Sequence, residues 1–370
     1  MTITCEHEAL CTPYARIDVQ KLKENIETFA ARFSQRNIAL RPHIKTHKCP
    51  QIAKMQIENG AVGLTVATLR EAEAMINKGF SDIFIAYPIV GEANLRKFSE
   101  LRSKARLSSA VDSIYHLDEL LRFSSSERPS NIRIEIDCGQ HRCGIQPEDA
   151  ETLLQLANFL KTNSDYFYLE GVFTHAGQVY RCTEKEQIAK VALSEQQAVI
   201  KAALFLRNHG FDCNVVSVGS TPTSVYSTAS GITEARPGNY VFYDAIQVRN
   251  TTARAENCSY SVVTRVIGSY SDRLIIDAGS KALGLDKGAH GINLVGGYGI
   301  VKRYENLEIS ALSEEHGTLT WRRKPERLPA TGDLLEIIPN HSCASANLFS
   351  CYQVFQQNKY IGTWEIVGKR

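Results

Sequence analysis

What the 370-residue chain lacks narrows its function before any motif is read. It has no large charge excess: 42 Lys and Arg against 40 Asp and Glu leave a formal net charge of +2. A generic nucleic-acid binder carries a clear basic surplus, so that class is set aside. No apolar run reaches the roughly 18 residues needed to cross a bilayer, so no membrane span is expected. The N-terminus, Met1-Thr2-Ile3-Thr4-Cys5-Glu6-His7, has no basic segment followed by an apolar one, so no secretion signal is expected. None of the ten cysteines forms a Cys-x-x-Cys pair. That pattern fits buried thiols in a reducing cytoplasm better than a disulfide framework or a zinc ribbon. No internal repeat stands out, and no glycine-rich dinucleotide fingerprint follows the first expected strand.

What is present is an alternation. Short runs rich in Val, Ile and aromatic residues are expected as strands at Ile38–Pro42, Val62–Ala67, Ile83–Tyr87, Leu107–Val111, Ile132–Asp137, Leu169–His175, Val215–Val218 and Glu234–Arg236. Helical signals lie between them. Asp18 precedes an apolar stripe of Leu22, Ile26, Phe29 and Phe33, and Thr68 with Glu71 forms a capping box closed by Gly79. Thr183 with Glu186 opens a long helix that stops near Gly210. Eight strands spaced by helices predict a closed (β/α)8 TIM barrel over residues 12–250, with a doubly wound open sheet as the alternative. Beyond 250 the helical periodicity fades. Tyr260–Ser269, Arg273–Asp277, Leu307–Leu312, Thr318–Trp321, Leu334–Pro339 and Gln353–Tyr360 predict a second, all-β domain over 251–370, with residues 1–11 packing on it.

Barrel enzymes place reactive groups at the C-terminal ends of their strands. Lys45 follows the first strand in Arg41-Pro42-His43-Ile44-Lys45-Thr46-His47-Lys48. A lysine amine can form a Schiff base with a carbonyl cofactor when burial or cationic neighbours lower its pKa. Arg142 follows the fifth strand, and His175 and Gln178 the sixth. Gly219-Ser220-Thr221 and Pro237-Gly238-Asn239 follow the last two, where barrels commonly bind phosphate through backbone N–H groups. Each turn alone is ordinary. Together with the lysine they point to pyridoxal 5′-phosphate. His341 and Cys343 stand two apart, and an extended segment would turn both to one side. A thiolate with an imidazole favours zinc.

These motifs, with Asp137–Gly144, Thr174–Tyr180, Arg236–Asp244, Asp277–Ala282, Leu312–Gly317, Pro339–Cys343 and Trp364–Val367, run through nearly the whole chain. The sequence resembles the pyridoxal phosphate barrel enzymes related to alanine racemase, and more closely the D-threonine aldolase / D-serine dehydratase family. That resemblance implies an alanine racemase-like barrel with a C-terminal β domain. Lys45 would be the Schiff-base lysine and the Cα base, Arg142 a contact to the cofactor ring oxygen, and Tyr180 a support for the pyridine side. Ser220, Thr221, Gly238 and Asn239 would hold the phosphate, and His341 and Cys343 a divalent metal, zinc by preference. It further implies a cytoplasmic homodimer acting on a small D-amino acid. The family's dehydratases pair His with Cys at the metal and its aldolases more often pair His with Asp. Cys343 therefore points to a dehydratase of D-serine or D-threo-3-hydroxyaspartate. D-threonine aldolase chemistry is the alternative, ahead of a racemase or a non-catalytic cofactor carrier. His43 and His47 are read either as tuning Lys45 or as polar neighbours, Lys48 as a polar neighbour, His316 as lining an entrance or capping a turn, and Cys138 and Cys143 as packing residues.

Overall fold

The computed structural model describes residues 9–288, 295–323 and 326–369. The chain divides into two compact units. One comprises Phe29–Val179, Glu186–Gly238 and Val367–Arg370, and the other Met1–Thr28, Tyr180–Lys185 and Asn239–Ile366.

The first unit is built on eight parallel strands. In chain order they are β2 (Ala39–Leu40), β3 (Leu64–Val66), β4 (Asp82–Pro88), β5 (Arg106–Val111), β6 (Ser130–Ile136), β7 (Phe167–Thr174), β8 (Val215–Val218) and β9 (Glu234–Ala235). Their spatial order is β2-β9-β8-β7-β6-β5-β4-β3. The two ends of that series meet: His43 bridges Thr65 in parallel register, and Val62 and Thr65 donate their N–H groups to the carbonyls of Leu40 and Pro42. The sheet is therefore a closed barrel, which removes the open-sheet alternative. Thr68 caps Leu69–Asn77 by accepting from the Glu71 N–H, while the Glu71 carboxylate reaches back to the Ala67 N–H at 2.7 Å. The expected box thus forms, with its return bond one residue early.

The barrel interior is ionic rather than aliphatic. Residues two apart share a strand face; on β4 these are Asp82 and Phe84, on β5 Arg106 and Ser108, on β9 Glu234 and then Arg236. Arg133, 1% exposed, gives Nε to Glu170 at 2.7 Å and Nη1 to Glu234 at 2.6 Å. Arg41 bridges Glu234 at 2.8 Å and Asp82 at 2.5 Å. Arg106 joins Asp82 to Glu170. Above this ladder Phe84 and Phe173 meet edge-on at 4.9 Å, with Arg133 over Phe84 at 4.4 Å and Arg236 over Phe173 at 5.0 Å. Burial would push the Glu234 carboxyl up, but Arg133 and Arg41 outweigh it and hold it at about 2.

The second unit holds a nine-stranded sheet ordered β11-β14-β13-β12-β15-β10-β1-β16-β17. Its strands are β1 (Tyr14–Asp18), β10 (Tyr260–Ser269), β11 (Leu274–Ile276), β12 (Gly299–Val301), β13 (Leu307–Leu312), β14 (Gly317–Trp321), β15 (Leu334–Pro339), β16 (Cys351–Gln356) and β17 (Lys359–Glu365). Two features depart from the sequence reading. Tyr14–Asp18 is a central strand here, antiparallel to β10 and parallel to β16. The single strand expected at Gln353–Tyr360 is a hairpin, because Gln357 and Asn358 take left-handed conformations (φ 50° and 66°) and reverse the chain. Of residues 1–11, Leu10 packs on the Tyr14, Val263, Leu334 and Phe355 cluster, and residues 1–8 lie outside the described residues.

The ladder sets the acid response. Glu234 has a folded pKa below the ordinary ~4.3 of a free glutamate, so its stabilisation is complete above that value. It is lost as pH falls toward about 2. Urea unfolding between pH 6 and 3 is expected to show stability falling on the acid side. Glu234→Gln removes the charge that the buried Arg41 and Arg133 share and is expected to cost roughly 3–5 kcal/mol at neutral pH, measured the same way.

Candidate active site

The barrel mouth gathers the sequence-predicted groups of the first unit. Lys45 lies in the single 3-10 turn Ile44–Thr46 that follows β2, half-buried, between the fully buried Ile44 and Thr46. His43 caps this turn: its N–H donates to the Pro237 carbonyl at 2.9 Å and its Nδ1 accepts from the Lys45 N–H at 3.3 Å. Burial, then the charges of Lys45, Arg236, His175 and Arg142, hold His43 well below its ordinary pKa, so its ring is neutral. His47 has a different place. It is fully buried, its Nδ1 accepts from the Cys49 N–H at 3.0 Å, and burial brings its pKa to about 3. Lys48 pairs with Glu71 at 3.3 Å, and its carbonyl accepts from the Val367 N–H at 2.8 Å. His47 and Lys48 thus brace the loop, and His43 is the histidine that neighbours Lys45.

Asp137 shapes the loop that carries Arg142. One carboxylate accepts the N–H groups of Gly139, Gln140 and His141 at 2.9–3.0 Å. Arg142 is 46% exposed and stands 3.7 Å from Glu135. Burial lifts the Glu135 carboxyl to about 7, against the pull of Arg142 and Arg236. Burial also pushes the Cys138 thiol up to about 12, which leaves it unreactive as a packing residue. His175 donates Nδ1–H to the Gly219 carbonyl. Burial, Lys45 and Arg142 keep this imidazole neutral too. Gln178 donates to the Cys138 carbonyl at 2.9 Å, which ties the two loops together. Ser220 and Thr221 are buried at the start of the short helix Thr221–Ser224. At Gly238 a Cβ would lie 2.8 Å from the His43 carbonyl oxygen, so only glycine lets this turn approach the lysine loop. The mouth therefore concentrates Lys45, Arg142 and Arg236 beside neutral imidazoles. That charge pattern suits an anionic, phosphate-bearing aldehyde.

The second unit brings His341 and Cys343 together, by a route other than the extended segment expected. His341 is extended (φ −129°, ψ 101°) and Cys343 lies in the first turn of the helix Ser342–Ala346. Tyr260, stacked on Phe242 and edge-on to Tyr352, holds this helix through a 2.8 Å hydrogen bond to Ser345. The His341 Nδ1–H donates to Asp286 at 2.7 Å, and the ring is within hydrogen-bonding reach of the Cys343 sulfur. Burial would lower the His341 pKa, but Cys343, Asp286 and Asp244 raise it well above the ordinary value. Surroundings that draw a proton onto the ring draw a metal cation by the same field, and a carboxylate behind a ligating histidine is the usual orienting partner. Among the described residues no group of three or more His, Cys, Asp or Glu side chains forms a metal cage. The residues present fit an ion held by two protein ligands. Asn239 belongs to this cluster: its amide donates to Asp244 at 2.7 Å and Ser342 at 2.9 Å and lies 3.9 Å from the Cys343 sulfur. Tyr180 is half-buried in the turn Gly177–Arg181. His316 gives its carbonyl to the Ser313 N–H at 2.9 Å and so closes the turn before β14.

Residues 17–245 match the model of the alanine racemase N-terminal domain, and residues 259–355 match a putative serine dehydratase domain. The chain belongs to the D-threonine aldolase / D-serine dehydratase family. It is 33% identical to the D-threo-3-hydroxyaspartate dehydratase of Delftia sp. (strain HT23), over 96% of this chain and 97% of that one. It is 30% identical to the D-serine dehydratase of Dictyostelium discoideum, over 95% of each, and 28% identical to an Arthrobacter D-threonine aldolase, over 97% and 92%. Solved structures of D-threo-3-hydroxyaspartate dehydratase include a histidine-to-alanine variant with a TM-score of 0.91, covering 97% of this chain and 95% of that one. They also include a cysteine-to-alanine variant in metal-free form with a TM-score of 0.90, covering 97% and 98%. The two replaced residues are two places apart, the spacing of His341 and Cys343. The family is one of pyridoxal phosphate-dependent enzymes, and this member is a lyase.

Asp286, Asp244 and Glu135 were not singled out from sequence, and nothing in their local pattern marks them. The approach at Gly238 yields a direct test. Gly238→Ala is expected to displace the lysine loop and weaken pyridoxal phosphate binding about tenfold, read by titrating the cofactor-free protein and following visible absorbance.

Proposed function

We propose that this protein dehydrates a D-configured β-hydroxy amino acid, D-serine or D-threo-3-hydroxyaspartate, to a keto acid and ammonia. The observation that carries this reading is the meeting of His341 with Cys343 in front of the Asp286 carboxylate. It is the same pair of residue types, at the same spacing, that the D-threo-3-hydroxyaspartate dehydratase variants replace.

When bound, the cofactor supplies an electron sink for charge at Cα, and a divalent ion, zinc for this donor pair, supplies Lewis acidity toward the β-hydroxyl. Lys45 would anchor the aldehyde, and its amine would take the Cα proton. Arg142 meets the ring oxygen, and Tyr180 supports the pyridine side. Ser220, Thr221 and Gly238 hold the phosphate. Asn239, whose side-chain amide is committed to Asp244 and Ser342, adds its main chain. His341 and Cys343 hold the ion. With His43 and His175 neutral, Lys45, Arg142 and Arg236 supply the positive charge near these histidines that an anionic ligand would meet. Loss of the Cα proton and the β-hydroxyl removes one water; the released enamine takes water back and loses ammonia. In this reading the enzyme is a cytoplasmic homodimer, which sedimentation at micromolar concentration checks.

Purified enzyme with pyridoxal phosphate and zinc is expected to release keto acid and ammonia in equal amounts from D-serine or D-threo-3-hydroxyaspartate. Glycine and an aldehyde from D-threonine would instead mark an aldolase and overturn the reading. Lys45→Ala is expected to abolish the visible absorbance band. Cys343→Ala is expected to lose bound metal and activity while the band persists, measured by elemental analysis beside absorbance.

A further inference from the structure

The helix Lys185–Asn208 carries one acidic residue where its apolar stripe requires none. Ile188, Ala192, Val199, Ala202 and Leu206 are buried on one face, and Glu195 is buried among them with 0% exposure. Its Oε1 accepts two main-chain N–H groups, Ala176 in the loop after β7 and Gly219 in the loop after β8, both at 3.1 Å. The Gly219 carbonyl is held by His175. A side chain at Gly219 would press on the Arg236 Cβ and carbonyl at 3.1 Å. Gly219 is thus fixed at its N–H, its carbonyl and its α-carbon. The next helix residue anchors the far end of the same loop: Gln196 accepts from the Thr228 and Ala229 N–H groups at 3.0 and 2.9 Å and donates to the Tyr226 carbonyl at 3.2 Å. Two adjacent side chains of one helix therefore grip the segment that begins with Ser220 and Thr221, at both ends.

We propose that Glu195 is a positioning residue for phosphate recognition: by taking the Gly219 N–H it holds Ser220 and Thr221 in the shape that receives the cofactor's phosphate. This rests on the assignment of those two residues to the phosphate. Burial pushes the Glu195 carboxyl up, against Thr223, the Gly219 and Ala176 N–H groups and Arg236. The carboxyl oxygen orders the loop through the two N–H groups it accepts, a role set by its reach and its acceptor lone pairs. A glutamine at this position keeps an acceptor of the same reach, and an alanine leaves two buried N–H groups without one.

The test compares pyridoxal 5′-phosphate with pyridoxal, which lacks the phosphate, on protein stripped of cofactor from the holoenzyme. The readout is the ratio of their dissociation constants by absorbance titration. Glu195→Ala is expected to lower the wild-type preference for the phosphorylated form about tenfold while pyridoxal affinity changes less. Glu195→Gln is expected to keep the preference within roughly threefold. A general packing defect would weaken both ligands alike, so an unchanged ratio in Glu195→Ala overturns the inference. A Glu195→Gln ratio as low as that of alanine overturns it as well. Should the alanine variant fail to fold, Glu195→Asp, too short to span both loops, carries the same expectation. Equal binding of the two ligands by the wild type would be a different failure, that of the phosphate assignment itself, and the inference would fall with it.

Discussion

The barrel depends on one buried interaction, the guanidinium–carboxylate ladder in its interior. Arg133 shares its donors between Glu170 and Glu234, and Arg41 and Arg106 extend the chain to Asp82. A charge removed from water is costly unless it is met by a partner, and here every guanidinium of the ladder contacts two carboxylates, with Arg133 forked onto Glu234. Bonds of this kind have direction. They fix which strand stands opposite which, whereas an aliphatic core tolerates sliding. Phe84 and Phe173 sit on this floor with guanidiniums against their faces, and Arg236 spans from Phe173 up to Ser217 and the Thr174 carbonyl.

The mouth inherits that rigidity. The candidate site groups stand on short turns, and each turn is tied by a polar side chain: His43 and His47 around Lys45, Asp137 under the Arg142 loop, Glu195 and Gln196 behind Ser220 and Thr221. Pre-ordered donors spare a ligand the entropy of organising them. The β unit follows the same rule in its own cluster. Asp244 accepts from Asn239, from the Ser342 N–H and hydroxyl and from the Gln247 N–H, so one carboxylate fixes the start of the helix that bears Cys343.

Much of this was legible in the sequence because it is local or periodic. The barrel strands were read from alternating apolar runs, and the position of Lys45 at a strand end follows from such a run. The errors have physical causes. Tyr14–Asp18 is too short to reveal its partners, which lie some 250 and 340 residues downstream. The β16–β17 turn uses Gln and Asn in left-handed conformations, without the glycine that announces such a reversal. Glu195 did leave a trace, an acidic residue inside an apolar helical stripe, but that pattern does not say what the carboxyl binds.

The sequence by itself determined the alternation of strand and helix, the reactive residue types and the spacing of the histidine and cysteine, since each is encoded within a few neighbouring residues. Tertiary structure decided which ionisable groups stay neutral, which imidazole faces the lysine, and that a helix start brings His341 onto Cys343. Those outcomes depend on burial and on charges from distant segments, and no local pattern carries either.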